Sequence, residues 1–329
     1  MPSITGFLRE YFDTKKPKPP PLTTTAAAGL LALYTVFYVA PFYLSSRTRP
    51  SRTLSRDAPS VIKARITSVT LTCIFCSIST FFILTSPHGN GQVVSTKEAL
   101  HSMGWWPVGL AEAARCLLLT AILFAGPLYE SLIVQSGWRD WIALRPVHEL
   151  FQEWTTWRNI VAGPLTEEVL FRSAAVPLML LAQTPVKTTI FLSPIIFGLA
   201  HFHHFYEFRV SNPGASVAQG LIRSCIQLTY TTAFGAYATF LLLRTGSLLA
   251  IFVVHAFCNC MGFPRFWGRL DSGDVGDEDS GGKPLPPPKK LHAMWSVVYY
   301  VLLILGAVGF WKYLGLLTKS AGELVPIDV

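Results

Sequence analysis

The chain has 329 residues, of which 51% are hydrophobic and 14% are charged, and its mean hydropathy is +0.41. Soluble domains carry about 25% charged residues, so this composition excludes an ordinary soluble protein and indicates an integral membrane protein. The formal net charge of +8 comes from basic residues scattered over several loops. That distribution is typical of charges that set membrane topology, and it argues against nucleic-acid binding.

The apolar segments predict an all-α, polytopic membrane protein with about eight transmembrane helices. Most segments have about 20 residues, which is enough for a helix to cross roughly 30 Å of hydrocarbon. In chain order, we place the helices near residues 24–45, 64–84, 108–129, 159–182, 187–205, 217–243, 247–263 and 291–315. Residues 1–23 form a polar N-terminal segment, and residues 24–329 are expected to form a single transmembrane domain. The glycine-, acid- and proline-rich residues 268–290 predict a flexible cytosolic loop.

Lysine and arginine are more frequent in the odd-numbered loops than at the termini and in the even-numbered loops. The excess of basic residues predicts that the odd-numbered loops are cytosolic. Just before the fourth helix, the segment "HELFQEWTTWRN" places Leu150, Phe151, Trp154 and Trp157 on one helical face. The segment is either a helix that lies in the cytosolic interface or the first turns of the fourth span.

The fourth predicted helix contains "GPLTEEVLFR", in which three charged residues lie within a membrane segment. A charge at the centre of a bilayer costs roughly 2.5–3.5 kcal/mol and usually marks a functional or paired group. Glu168 and Arg172 are four residues apart on one face, so they can form an ion pair. Glu167 points about 100° away from Glu168 and gains no such partner from its own helix. We therefore expect Glu168 to support the structure and Glu167 to perform chemistry.

Polar side chains also occur in the fifth and seventh predicted helices. "FGLAH" places His201 near the cytosolic end of the fifth helix, one turn after Phe197, and His203 and His204 follow at the interface. Either of these two could take the place of His201. A lone buried histidine is more often a hydrogen-bonded core residue than a functional group.

His255 and Asn259, in "HAFCN", share one face of the otherwise apolar seventh helix. With the predicted topology, Glu167 lies about eight residues, or roughly 12 Å, from the cytosolic side. His201, His255 and Asn259 fall at a similar depth. Polar residues that serve only in helix packing would not be expected at one common depth in the membrane. The shared depth therefore indicates a single site.

Such a set of side chains suits the hydrolysis of an acyl bond by activated water. A partly desolvated carboxylate can act as a general base toward water, and an imidazole can orient that water. A neighbouring histidine and asparagine can donate hydrogen bonds to a developing oxyanion. No serine or cysteine occurs in a recognisable nucleophile setting.

The three motifs EExxxR, FxxxH and HxxxN occur in this order on separate predicted helices, within about residues 155–265. In this combination the chain resembles the type II CAAX prenyl proteases, a family of intramembrane glutamate-type endopeptidases. The resemblance implies a multi-pass enzyme of the endoplasmic reticulum membrane that removes the aaX tripeptide from farnesylated or geranylgeranylated CaaX proteins, such as Ras-like small GTPases. Its active site would open toward the cytosol, and it would need no cofactor.

By the same resemblance, Glu167 and His201 would activate water, while His255 and Asn259 would bind the oxyanion. Glu168, Arg172 and Phe197 would support the site, and no residue would bind a metal. Two alternatives remain. A zinc protease could use Glu167, His201 and His255 as ligands, although HExxH is absent. A transporter or scaffold could use the buried polar groups as an ion path, although no inverted repeat is evident.

Overall fold

The computed structural model describes residues 20–49, 51, 54–87, 94–271 and 291–327. Within these ranges the regular structure is helical, which confirms the predicted all-α class. Residues 1–19 of the predicted polar segment and residues 272–290 of the predicted loop lie outside the described ranges.

Sixteen α-helices follow one another along the described chain. They are α1 (Thr24–Val39), α2 (Pro41–Leu44), α3 (Pro59–Thr85), α4 (Thr96–Ser102), α5 (Leu110–Leu123), α6 (Ala125–Tyr129), α7 (Trp138–Ile142), α8 (Arg145–Gln152), α9 (Trp154–Trp157), α10 (Gly163–Glu168), α11 (Val176–Leu181), α12 (Val186–Ala200), α13 (His203–Ser211), α14 (Val217–Thr245), α15 (Leu248–Met261) and α16 (Ala293–Thr318). Three π-helical turns occur at Glu130–Val134, Arg158–Ala162 and Val169–Ala174.

Helical segments occupy all eight positions predicted for spans, which is the arrangement of a polytopic membrane protein. Three helices are individually long and apolar enough to cross a membrane: α1 with α2, α3, and α16. The pair of α5 and the helix that follows it, Ala125–Val134, would be a fourth span, but it bends by 82°. Pro127 explains the bend, because it lacks an N–H and its ring clashes with the carbonyl of Leu123.

Residues 154–181 form one continuous rod in which α-helical segments alternate with two π-helical turns. This central helix carries the charged motif, and every side chain from 168 to 179 is buried. A helix buried on all faces must be surrounded by other helices. α3 packs on its second π-helical turn, and α12, α14 and α15 also contact that turn. The fold therefore positions Glu168 and Arg172 at its centre.

The predicted interfacial segment is divided between two elements. α8 ends at Gln152, and Glu153 has an extended backbone with φ −107° and ψ 117°. Phe151 on α8 is 73% exposed, whereas Trp154 and Trp157 belong to the start of the central helix. The prediction that all four apolar residues share one helical face is therefore wrong, because the chain changes direction at Glu153.

α12 and α14 pack closely along their length, and they bring His201 beside the central helix. Gly198 permits this approach. A Cβ atom at this position would lie 2.5 Å from Oγ1 of Thr232 and 2.7 Å from Cδ1 of Leu228. The end of α12 is thus fixed only a few residues before His201.

Candidate active site

One cavity is lined by every side chain that the sequence indicated as catalytic. Glu167 reaches it from α10, His201 from the residue that follows α12, and His255 and Asn259 from α15. The cavity has a volume of about 750 Å³, and Phe197 also lines it. The structure therefore brings together four polar residues that come from three separate parts of the chain.

Glu167 lies between two imidazole rings. Its Oε1 atom is 3.9 Å from Nε2 of His201, and its Oε2 atom is 3.8 Å from Nε2 of His255. Both distances are too long for direct hydrogen bonds, but one water molecule can bridge polar atoms at this separation. The Glu167 side chain is 20% exposed, so its carboxylate is accessible from the cavity.

Glu168 makes two close contacts, one of which the sequence did not reveal. Its Oε1 atom accepts a hydrogen bond from Nη1 of Arg172 at 3.1 Å, which is the predicted ion pair. The same oxygen is 2.6 Å from Nδ1 of His255. The expectation that Glu168 only pairs with Arg172 is therefore incomplete, because this carboxylate also holds an imidazole of the candidate site. Since 87 residues separate Glu168 from His255, no local sequence pattern could indicate the contact.

Phe197 packs between His201 and the buried ion pair. Its ring centroid is 4.7 Å from the His201 ring and 4.9 Å from the Phe171 ring. Cζ of Arg172 lies 4.3 Å from the Phe197 centroid, within the range of a cation–π interaction. The backbone carbonyl of Phe197 also accepts a hydrogen bond from Nδ1 of His201 at 3.0 Å. Phe197 thus fixes the orientation of His201 through both its ring and its backbone.

The hydrogen-bond partners determine the tautomers of the two histidines. The Phe197 carbonyl and the ionised Glu168 carboxylate can only accept, so Nδ1 carries a hydrogen in both His201 and His255. In a neutral ring Nε2 is then an acceptor. His255 can donate from Nε2 only in its doubly protonated form, in which Nδ1 also carries a hydrogen toward Glu168. Nε2 of one ring can therefore accept a hydrogen bond while Nε2 of the other donates one beside the same Glu167.

Asn259 is exposed to the cavity and already makes one hydrogen bond. Its Nδ2 donates to the carbonyl of Asn159 at 2.9 Å, which joins α15 to the first π-helical turn of the central helix. An amide nitrogen has two hydrogens, so one donor is left for another acceptor. Asn259 lies one helical turn after His255, so both residues face the same region of the cavity.

Of the three neighbouring histidines, His201 is the one that approaches Glu167. Nδ1 of His203 contacts the carbonyl oxygen of Ala200 at 2.6 Å, and Nδ1 of His204 contacts Oε2 of Glu207 at 2.8 Å. The structure thus separates His201 from the two residues that could have replaced it on sequence grounds.

In the described part of the chain, His203, His204 and Glu207 form a group of three ligand-type side chains whose ligand atoms all lie within 4.8 Å of one another. The triad of the zinc alternative does not form such a group among the described residues. Glu207 already pairs with Arg65, whose Nη2 is 2.8 Å from Oε1. Burial raises the pKa of Glu207, but the His204 hydrogen bond and the Arg65 charge outweigh burial and hold this pKa at about 2. The carboxylate therefore serves as the anion for nearby cations.

Much of the remaining cavity wall is apolar, and no sequence pattern indicated it. The end of α5, the residue that follows it, α14 and α16 contribute aromatic and aliphatic side chains. These side chains are Leu123, Phe124, Phe234, Tyr237 and Phe310. Sequence patterns indicated only that these helices were hydrophobic. A cavity with a polar end and an apolar wall suits a ligand that has both a peptide part and a lipid part.

Comparison with known proteins gives the family of the chain. The family model described as "Type II CAAX prenyl endopeptidase Rce1-like" matches residues 149–261, which include the central helix and both histidine motifs. No solved structure matches the chain.

Curated relatives match over most of the chain. The "Probable CAAX prenyl protease 2" of Schizosaccharomyces pombe is 35% identical over 283 residues, which cover 86% of this chain and 90% of that protein. The "CAAX prenyl protease 2" of Homo sapiens is 33% identical, covering 82% of this chain and 84% of the relative. That of Saccharomyces cerevisiae is 28% identical, covering 91% and 98%. The chain therefore belongs to the type II CAAX prenyl endopeptidase family and is a membrane-bound protease.

Proposed function

We propose that the protein removes the aaX tripeptide from farnesylated or geranylgeranylated CaaX proteins, such as Ras-like small GTPases, by means of water activated at Glu167 and His201. The observation that carries this proposal is the position of Glu167 between two Nε2 atoms in a cavity with an apolar wall. We further propose that the enzyme lies in the endoplasmic reticulum membrane with its active site toward the cytosol. The excess of basic residues in the odd-numbered loops supports this orientation.

Glu167 is the general base in this mechanism. A water molecule donates one hydrogen bond to the Glu167 carboxylate and the other to Nε2 of His201, which is an acceptor in the neutral ring. When the water oxygen attacks the carbonyl carbon of the prenylated cysteine, its proton passes to Glu167. As the C–N bond breaks, this proton passes to the departing amine of the aaX tripeptide. The prenylated cysteine is left with a new carboxyl group, which becomes a carboxylate when its proton passes to the released amine.

His255 and Asn259 stabilise the negative charge that develops on the carbonyl oxygen. The doubly protonated His255 donates from Nε2, and Asn259 donates its second amide hydrogen. Glu168 contributes indirectly, since its contact with Nδ1 orients the His255 ring. Donors that are already in place before the reaction avoid the cost of reorganising water around the new charge.

The apolar wall explains why a protease of this kind is embedded in a membrane. A prenyl group is anchored in the bilayer by burial of its CH₂ groups, each contributing about 0.8 kcal/mol. A cavity that opens among membrane helices can accept this chain without first transferring it to water. The lipid then positions the adjacent cysteine carbonyl beside Glu167.

Cleavage of defined peptides by the purified protein tests the proposal. A farnesylated CaaX peptide should release the aaX tripeptide, as detected by mass spectrometry, whereas the same peptide without the lipid should react much more slowly. Activity should survive prolonged chelation. Activity that is lost on chelation and restored by zinc would indicate the zinc mechanism, and a folded protein that cleaves neither peptide would indicate a scaffold or transporter.

A further inference from the structure

A second, basic pocket adjoins the candidate active site. It has a volume of about 580 Å³, and it is lined by Arg56, His204, Gln219, Arg223, Gln227 and Tyr230, among others. His204, Gln227 and Tyr230 also line the cavity that contains Glu167. The two spaces therefore share part of their lining, which places the basic pocket directly beside the active-site cavity.

Arg223 has no acidic partner within 4 Å among the residues that the structure describes. It belongs to the second turn of α14, where its guanidinium lies 5.1 Å from the ring centroid of Phe208. An aromatic face holds the planar guanidinium in position but leaves its N–H groups free to bind an acceptor. Arg223 is exposed on the helix surface, so an incoming anion can reach it.

Arg56 is also available, although two carboxylates lie near it. Its contacts with Asp57 and Glu207 are long, at 3.6 Å and 3.5 Å. Each of these acids has a closer cationic partner, because Arg158 is 2.7 Å from Asp57 and Arg65 is 2.8 Å from Glu207. The Arg56 side chain is 41% exposed. The pocket therefore contains two guanidinium groups whose positive charge is not fully balanced.

The spacing along α14 matches the length of a tripeptide. Arg223, Gln227 and Tyr230 lie on one face of the helix, and seven residues span about 10 Å at the α-helical rise of 1.5 Å per residue. Tyr230 lines the active-site cavity, whereas Arg223 lines only the basic pocket. Three extended residues also cover about 10 Å. A chain that is cleaved beside Glu167 can thus place its third following residue near Arg223.

We propose that Arg56 and Arg223 bind the free C-terminal carboxylate of the substrate. This subsite rests on the proposed function, because only a CaaX substrate carries a carboxylate three residues after the cleaved bond. Guanidinium groups bind carboxylates through paired, charge-assisted hydrogen bonds, which define both position and orientation. The contact sets the length of the released peptide, since it fixes the distance between the C-terminus and the cleaved bond. It selects peptide ends over internal sites.

Two farnesylated peptides test the subsite, one with a free C-terminal carboxylate and one with a C-terminal amide. The wild-type enzyme should cleave the acid with a kcat/KM about 10- to 100-fold higher than the amide, the fold-change expected for losing hydrogen bonds to a charged group. In Arg223→Gln and Arg56→Gln, kcat/KM for the acid should fall by a similar factor, whereas kcat/KM for the amide should barely change. Arg223→Lys retains the charge and should retain most of the discrimination.

Arg139→Gln is the matched control, because Arg139 is exposed beside Trp138 and lines neither space. Its preference for the acid should equal that of the wild type, and melting temperatures should show that all variants are folded. Equal cleavage of acid and amide by the wild type would overturn the subsite. So would an equal loss on both peptides in the arginine variants, which would indicate a structural role or binding of a lipid headgroup. Failure of the wild type to cleave either peptide would instead overturn the proposed function, and the subsite with it.

Discussion

Replacing Glu168 by glutamine separates the structural role of this carboxylate from its role in the site. Glu168 is fully buried, and Arg172 is 1% exposed. Glutamine preserves the size of the side chain but removes the charge, so the Arg172 guanidinium would be left buried without an anion. Breaking a buried ion pair by removing one partner costs about 3–5 kcal/mol. This is a large part of a typical unfolding free energy of about 5–15 kcal/mol, so the melting temperature of the purified variant should fall clearly.

The same substitution should also reduce turnover per folded molecule. A glutamine oxygen can still accept from Nδ1 of His255, but a neutral amide holds the ring less firmly than a carboxylate does, because charge-assisted hydrogen bonds are stronger. Loss of the carboxylate that orients a functional histidine lowers activity by about 10- to 10⁴-fold in other enzymes. We expect kcat to fall within this range, with little change in KM, because substrate binding does not require the charge on His255.

The double variant Glu168→Gln/Arg172→Met distinguishes the two effects. Because it removes both buried charges, it should recover most of the lost stability. Its kcat should remain as low as that of Glu168→Gln, since His255 still has no carboxylate beside it. Thermal unfolding and steady-state cleavage of a farnesylated peptide are measured on the same preparation. If kcat recovered together with the melting temperature, Glu168 would support only the fold, and the assigned role in orienting His255 would be wrong.

Three further predictions follow from individual contacts. Asn259→Ala should lower kcat by about 10²- to 10³-fold with little change in KM; a lower melting temperature with normal turnover would make Asn259 a packing residue. Gly235→Ala should destabilise the protein by about 1–3 kcal/mol in thermal unfolding, because its Cβ would lie 2.8 Å from both Nη2 of Arg172 and Cβ of Pro194; an unchanged melting temperature would contradict this. The pKa of Glu207 is lowered to about 2 in the folded protein, so its stabilisation is present above about pH 4.5 and is lost as the pH falls toward about 2. Glu207→Gln should weaken the dependence of melting temperature on pH in this window, and an unchanged dependence would refute the assignment.

Side-chain contacts and directions could be predicted for residues that are close in sequence. The i, i+4 spacing of Glu168 and Arg172 predicted their ion pair, because the geometry of one helix determines it. The doubled glutamate likewise indicated that Glu167 and Glu168 face different directions. The apolar segments predicted the helical class, since each must satisfy its backbone hydrogen bonds within the membrane.

Contacts between distant segments could not be predicted in the same way. The hydrogen bond between Glu168 and His255 depends on how α15 packs against the central helix, and one sequence contains no signal for that packing. The bend at Pro127 has a local cause, but only the structure shows that Phe124, which lies at this bend, lines the cavity. The basic pocket was missed for another reason: Arg56 belongs to a loop and Arg223 to α14, so each looked like an ordinary surface or topology charge.

The central claim is that Glu167 activates the water that cleaves the substrate. Single-turnover cleavage of a farnesylated CaaX peptide by Glu167→Gln tests it most directly, with Glu149→Gln, an exposed acid on α8, as the matched control. Loss of a general base lowers rates by about 10²- to 10⁴-fold, so the Glu167 variant should show at least this loss while it binds the peptide and melts like the wild type. The control should cleave at the wild-type rate. A folded Glu167→Gln protein that cleaves the peptide at a near-normal rate would contradict the proposed mechanism.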